Sequence, residues 1–318
     1  AKDGKTILFI SHKLREVLVV SDRTTVMREG RVVGTVKTAE TSDRELAEMM
    51  IGRETVDLPL RAQCAEDSQP ILEVEHLDVY DARGILAVRD ANLTVHCGEV
   101  VGIAGVEGNG QVELAEAITG LQPIACGRIR LEGREIQNRS TRQIRQAGVA
   151  HIPSDRNSTG VALEAQVWEN LIAVDYHAPP YSGMLVLAIN RILSYAKDVV
   201  TRFGVQTPSL KSPTRNLSGG NVQRLVVARE LGSNRARVVV ASQPTRGIDI
   251  AGTEAIRRML LEYARRGAGV LLISADLDEV LALSDRVMVM YKGRLVDAGR
   301  VDETIRQRVG RLMTGAEP

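Results

Sequence analysis

The sequence predicts an α/β fold organised around a phosphate-type loop, and three features point to it. The apolar run Val100–Ala104 leads into Gly105-Val106-Glu107-Gly108-Asn109-Gly110-Gln111-Val112 and then into an amphipathic stretch, Glu113–Thr119; the order is strand, glycine-rich loop, helix. A second apolar run, Val238–Ala241, ends in the polar loop Ser242–Asp249. A strand–helix–strand–hairpin unit occurs twice, 263 positions apart, as from Ile10 to Ile273. With 44% hydrophobic and 25% charged residues, the chain is too apolar for a disordered protein. Its 318 residues allow two domains at roughly 100–200 residues each. Lys+Arg 41 against Asp+Glu 40 leaves a net charge of +1, which removes any bulk electrostatic case for nucleic acid or an anionic membrane surface. No apolar run approaches the roughly 20 residues of a membrane span, and Met184–Ile189 reads as a short core segment. Cys64, Cys97 and Cys126 have neither metal spacing nor an even count, as expected of idle thiols in a reducing compartment.

The elements follow in order. Gly4–His12 reads as an apolar strand ending in a turn, and Leu14, Val17 and Leu18 fall at helical spacing. Thr24–Met27 reads as a strand, and a hairpin centred on Gly30 leads into Arg31–Val33. Ser11, Leu14, Glu16, Val17, Ser21, Asp22, Arg23, Met27 and Gly30 recur without gaps as Ser274, Leu277, Glu279, Val280, Ser284, Asp285, Arg286, Met290 and Gly293. A complete unit starts near Ile71, after the polar, proline-bearing stretch Val56–Pro70. Residues 1–54 are therefore expected to be the tail of a first domain, 55–70 a linker and 71–318 a whole second domain. By the same offset the first unit would start about 190 positions before Ala1, which itself opens no signal-peptide pattern.

Glycines at a helix start let backbone N–H groups face phosphate oxygens, where the helix dipole favours negative charge. The pattern G-x-x-x-x-G-K-[ST] is nevertheless broken at both chemical positions. Gln111 stands in place of the lysine that reaches the β/γ-phosphates, and Val112 in place of the hydroxyl that ligates Mg²⁺. Taken alone, the loop reads equally as an incidental glycine-rich turn.

A second anion nest accompanies it. Asn216-Leu217-Ser218-Gly219-Gly220-Asn221-Val222-Gln223-Arg224 precedes the helical run Leu225–Leu231, and Val238–Ala241 leads into Ser242-Gln243-Pro244-Thr245-Arg246-Gly247-Ile248-Asp249. With these motifs the chain resembles ATP-binding cassette (ABC) ATPases, specifically the tandem cassettes of bacterial simple-sugar and nucleoside importers. Leu217, Ser218, Gly219, Gly220 and Asn221 look like the ABC signature, Ile248-Asp249 like the D-loop, and Ser242-Gln243-Pro244-Thr245 stands where the family has Asp-Glu-Pro-Thr. Tyr80, 25 positions before Gly105, fits either the aromatic that stacks on adenine or an ordinary edge aromatic. The likeness covers essentially all of 71–318, while 1–54 resembles a cassette's tail.

The resemblance implies a P-loop NTPase cassette: a mixed sheet core with an antiparallel β edge and a helical subdomain over about 165–230, Trp168 included, whose groove takes the coupling helix of a membrane permease. It also implies ATP and Mg²⁺ as cofactors, with ATP held between one cassette's P-loop and the other's signature. At the second unit's own site every polar post is altered. Gln111 and Val112 stand in the loop, Ser242 replaces the metal-orienting Asp and Gln243 the water-polarising carboxylate, Ser154 occupies the Q-loop position, and Ala275 replaces the switch histidine. Phosphoryl transfer rests on positioning and charge neutralisation, so this site is expected not to hydrolyse ATP. The intact signature would complete the first unit's site, for which His12 would supply the switch histidine; as an isolated residue His12 reads as a strand-end surface histidine. The working metal site therefore lies outside these residues.

The implied partners are integral-membrane permease subunits, indirectly a substrate-binding lipoprotein, and the first cassette; the implied location is the cytoplasmic face of the membrane. The alternatives are a soluble tandem ATPase acting on ribosomes without a permease, and a nucleotide-stabilised clamp with no turnover. Gln111→Lys alone is expected to leave the second unit without Mg²⁺-dependent phosphate release, because the metal, water-orienting and switch groups are still missing; a malachite-green assay checks it.

Overall fold

In the computed structural model, which describes residues 4–11, 14–28, 30–51, 68–183 and 186–315, strands and helices form a two-stranded ribbon, two larger sheets and a helical layer. The amino-terminal part holds α1 (Leu14–Val20), the antiparallel pair β1 (Arg23–Arg28) and β2 (Arg31–Lys37), and α2 (Asp43–Ile51), which lies against a later helix, α8 (Ile250–Arg265). An antiparallel sheet is built from β3 (Pro70–Tyr80), β4 (Leu86–His96), β6 (Cys126–Leu131) and β7 (Arg134–Glu135) in the order β4-β3-β6-β7.

The second sheet has the order β12-β11-β5-β10-β9-β8. Its strands are β5 (Val100–Ala104), β8 (Val149–Ile152), β9 (Val238–Ser242), β10 (Gly269–Ser274), β11 (Arg286–Tyr291) and β12 (Arg294–Arg300). All pairs are parallel except β11–β12. β5, β9 and β10 are apolar and buried along their whole length, as expected of parallel strands covered on both faces. Between the sheets, Val74, Leu77, Val101, Ile103 and Leu271 pack with Leu114 and Ile118 of α3 (Gln111–Ile118).

The opposite face of the parallel sheet is covered by helices. Between β8 and β9, downstream of the short α4 (Thr141–Gln146), lie α5 (Val167–Ile172), α6 (Ile189–Arg202) and α7 (Gly219–Leu231), with no strand of the two sheets in that interval. Leu171, Val199, Leu225 and Val226 pack there against Leu260 and Leu272, and Trp168 packs from the edge. Past α8 come α9 (Leu277–Leu283) and α10 (Ile305–Met313), which bury Val280, Val309 and Leu312 against Val287 and Val289.

Two expectations fail. Gly4–Ser11 forms no strand, because among the described residues no strand pairs with it; Ile10 is 89% exposed whereas its repeat partner Ile273, between β5 and β9, is 2% exposed. Of the Met184–Ile189 segment, the described residues are not core: Val186, Leu187 and Ile189 are exposed where the chain enters α6 from a proline-bearing loop. His12, Cys64 and the linker from 55 to 67 lie outside the described residues.

A buried ionic knot joins α7 to β8. Glu230, fully buried, accepts bonds from Arg145 Nη1 at 2.8 Å, Arg229 Nε at 2.8 Å and the His151 backbone N–H at 3.1 Å. Burial pushes its carboxyl up, but the two guanidinium groups outweigh burial and hold it below the usual carboxylate range. Burial chiefly, with Arg145 and Arg229 adding and Glu230 opposing, brings the His151 imidazole from 6.5 down to about 4. The unfolded chain then takes up a proton that the folded chain refuses, so stability falls as pH drops from 6.5 to about 4 and falls further as Glu230 titrates. In thermal-midpoint measurements against pH, His151→Gln should flatten the decline between 6.5 and about 4 and leave the more acidic part in place.

Candidate functional site

Four parallel strands end side by side. Ile152 of β8 is paired with Ala241 of β9, Ser242 of β9 with Ile273 of β10, and Ser274 of β10 with Ala104 of β5. The Gly105–Val112 loop, Ser154, Ser242-Gln243 and Ala275 all follow directly from these ends, so the fold brings together residues far apart in sequence. The carboxyl edge of a parallel sheet is where such folds bind ligands.

The loop between β5 and α3 turns on Gly108 (φ +89°) and Gly110 (φ +107°), and a Cβ on Gly110 would strike the Ala87 carbonyl. Asn109 stitches its tip to the β11–β12 turn: its Oδ1 accepts the Lys292 N–H at 2.7 Å and its carbonyl the Gly293 N–H at 3.0 Å. Gln111 is 8% exposed. Its Oε1 accepts the Asn109 backbone N–H at 3.0 Å and its Nε2 donates to the Val106 carbonyl at 2.9 Å. Val112 is exposed. Glu107 pairs with Arg246 at 2.8 Å, and since both are exposed the pair contributes at most about 1 kcal/mol.

At the end of β9 the Ser242 hydroxyl is buried with no partner. Gln243 takes a left-handed conformation (φ +49°), its N–H donating to the Ile273 carbonyl at 2.7 Å. Asp249 caps α8, accepting the Gly252 N–H at 2.6 Å, so its D-loop position also has a structural duty. Tyr80 ends β3 with an exposed ring, and its carbonyl accepts from Gln122 at 2.8 Å.

The signature opens α7. Ser218 and Gly219 are exposed, Gly220 and Asn221 half-buried, and Leu217 packs on the core beneath the helical layer. Asn221 orders the turn, donating from Nδ2 to Ser218 Oγ at 2.9 Å and accepting the Gln206 N–H at 2.8 Å. Gln223 donates to the Pro244 carbonyl at 3.0 Å, tying α7 to the loop after β9.

Three residues to which the sequence reading assigned no role in the site hold these parts together. Arg156 donates to the Arg246 carbonyl at 2.7 Å, and a Cβ on Gly219 would lie 2.6 Å from its Nη2; the signature glycine leaves room for this guanidinium. Arg246 links that contact to the loop through Glu107. Glu279, fully buried, accepts from Ser274 Oγ at 2.8 Å, Thr245 Oγ1 at 2.6 Å and Arg257 Nε at 3.4 Å, joining the ends of β9 and β10 to α8. Glu279 was visible in the repeat as the partner of Glu16, and the structure repeats its bond as well: Ser11 Oγ donates to Glu16 at 3.3 Å.

The residues present do not fit a Mg²⁺ ion. The ion asks for carboxylate oxygens in near-octahedral geometry, whereas this edge offers one neutral hydroxyl on Ser242, a carboxamide already bonded to its own loop, and a valine. The phosphate cradle keeps its shape, but one of its donors is taken.

These features define an ATP-binding cassette. The chain belongs to the ABC transporter family, whose pattern matches residues 88–246. It is 40% identical over 315 residues to the guanosine import ATP-binding protein NupO of Bacillus subtilis (strain 168), covering 99% of this chain and 61% of that protein. It is 39% identical over 314 residues to the nucleoside import ATP-binding protein NupA of Lactococcus lactis subsp. cremoris (strain MG1363), covering 99% and 62%. The chain thus spans about three-fifths of the length of these curated relatives. Among solved structures, a nucleotide-free ATP-binding cassette from an ABC transporter superposes with a TM-score of 0.63 at 24% identity, covering 76% of this chain and 96% of that one, which shows the shared fold.

Glu279→Ala should destabilise the chain by roughly 3 kcal/mol, because Arg257, Ser274 and Thr245 lose a common buried acceptor; the urea midpoint checks it.

Proposed function

We propose that the chain is part of the ATP-binding, energising subunit of a bacterial importer for nucleosides or simple sugars. Residues 71–318 form a cassette that does not hydrolyse ATP at its own loop and lends Leu217–Asn221 to the active site of a preceding cassette. Residues 1–54 close that preceding cassette and 55–70 link the two.

The observation that carries this reading is the contrast within the repeat. Ile7, Leu8 and Ile10 are 73%, 89% and 89% exposed, while their partners Val270, Leu271 and Ile273 are 0%, 0% and 2% exposed. A segment this apolar is suited to be a strand between two neighbours, as β10 lies between β5 and β9; on the proposed reading the preceding cassette supplies them. His12, at the end of that strand, is then the switch histidine, a polar group near the γ-phosphate. The exposed Ser218 and Gly219 support a signature that serves a nucleotide bound elsewhere.

The curated relatives named for guanosine and nucleoside import support the substrate class. Among the described residues no helix is long and apolar enough to cross a membrane. On this reading, which rests on the import relatives, the subunit sits at the cytoplasmic face against permease subunits, which dock on the helical layer of residues 165–230, and a substrate-binding lipoprotein acts through them. ATP and Mg²⁺ work together mainly at the preceding cassette's site.

In the full-length protein assembled with its permease, Ser218→Arg and His12→Ala should each lower ATP turnover by about a hundredfold or more. The 318-residue chain alone should show no Mg²⁺-dependent turnover. Loss of turnover in Gln243→Ala with His12→Ala still active would reverse the assignment of the working site.

A further inference from the structure

The loop of the second cassette is closed by its own side chain. Gly108 and Gly110, both left-handed, shape a turn of the kind whose successive N–H groups form a concavity for an anion. One of those donors, the Asn109 N–H, already ends on Gln111 Oε1 at 3.0 Å. The other end of the carboxamide is anchored as well, Nε2 donating to the Val106 carbonyl at 2.9 Å. The side chain is buried over the start of the loop, where a Cβ on Gly105 would lie 2.8 Å from Nε2. Both halves of the carboxamide are thus satisfied by the loop's backbone. A phosphate entering the cradle must break both bonds, and it meets no lysine in return.

Two further features set the same preference. Glu107 places a carboxylate on the loop, with only an exposed partner in Arg246 to offset it. The Ser242 hydroxyl, unpartnered at the end of the strand on which α3 packs, is too little to hold a metal ion that would neutralise a polyphosphate.

We propose that Gln111 is the specificity-determining residue of this loop: its carboxamide occupies the β-phosphate position, so the site takes a nucleoside or nucleoside monophosphate as readily as a triphosphate and binds without metal. The inference rests on the reading of this cassette as non-hydrolytic and adds what its pocket selects. In an ordinary cassette the phosphate chain contributes most of the affinity. Here exchange of internal for external hydrogen bonds cancels that contribution, since a hydrogen bond made and a hydrogen bond broken nearly balance.

The test is a fluorescence titration of the 318-residue chain with anthraniloyl-labelled ATP and AMP, each with and without Mg²⁺. The wild-type chain should bind the two within about threefold of each other, and EDTA should change neither affinity. Gln111→Ala frees the Asn109 N–H and should tighten the ATP probe about tenfold while leaving the AMP probe unchanged. Gln111→Lys, whose ammonium reaches one bond further, should tighten the ATP probe at least as much, and Gln111→Glu should weaken it. Weaker ATP binding in Gln111→Ala would overturn the proposal, because Gln111 would then be a phosphate ligand. A wild-type preference for the ATP probe above about tenfold, or no binding of either probe by any variant, would overturn it too. Failure of the non-hydrolytic reading has a separate sign, Mg²⁺-dependent phosphate release by the wild-type chain.

Discussion

The carboxyl edge of the parallel sheet exists because β5 lies flush against α9. Gly102, in the middle of β5, has no side chain; a Cβ there would lie 2.7 Å from Val280 Cγ1 and would strike the Ser284 hydroxyl. That close approach lets β5 pair with β10 on one side and β11 on the other. β5 and β10 then end in register, Ala104 beside Ser274, and the glycine loop starts where the switch position ends. The Asp285 carboxylate, one residue past Ser284, accepts the Val100 N–H at 2.8 Å and fixes the other end of the same strand. A larger residue at 102 would push α9 away and carry Glu279 with it, and through Glu279 the bonds to Thr245, Ser274 and Arg257.

Much of this was legible in the sequence because it depends on residue type and spacing. Glycines at 105, 108 and 110 after an apolar run announce a tight strand-to-helix turn, and the structure forms it with two left-handed glycines. The repeat located Gly293 through Gly30 and Glu279 through Glu16. Hidden features were those set by a side chain's direction. Nothing in a pattern says that Gln111 folds back onto Val106 and Asn109 rather than reaching outward. Nor does it say that Arg156 crosses to the carbonyl of Arg246, 90 positions on. Gly4–Ser11 misled for a different reason. Apolar composition expresses what a segment prefers to bury, whereas a strand also needs partners for its backbone groups, and here none of the described strands supplies them.

The polar bonds of the edge differ in what they can tolerate. The Glu279 and Glu230 clusters are buried, so removing one partner leaves charged groups without compensation. The Glu107–Arg246 pair lies in solvent, where such pairs contribute little. Substitution at the loop and at the end of β9 is therefore cheap for the fold: Gln111 satisfies itself, Val112 faces outward, and Ser242 leaves only one orphan hydroxyl. The fold does not depend on the groups a hydrolytic site would need.

The signature meets the glycine loop through Arg156, Arg246 and Glu107 in turn, but most of the bonds that order it lie elsewhere. Asn221 holds Ser218 and accepts from Gln206, Arg224 donates to the Gly204 carbonyl at 2.9 Å, and Arg229 at the far end of α7 donates to the Gly160 carbonyl at 2.6 Å. None of these partners belongs to the glycine loop. A surface held in this way keeps its exposed N–H groups and hydroxyl in place whether or not residues 105–112 carry a nucleotide. On the proposed reading this suits a cassette whose signature serves a neighbour's ligand, with Leu217–Asn221 kept beside an edge where Gln111, Val112, Ser242, Gln243 and Ala275 stand.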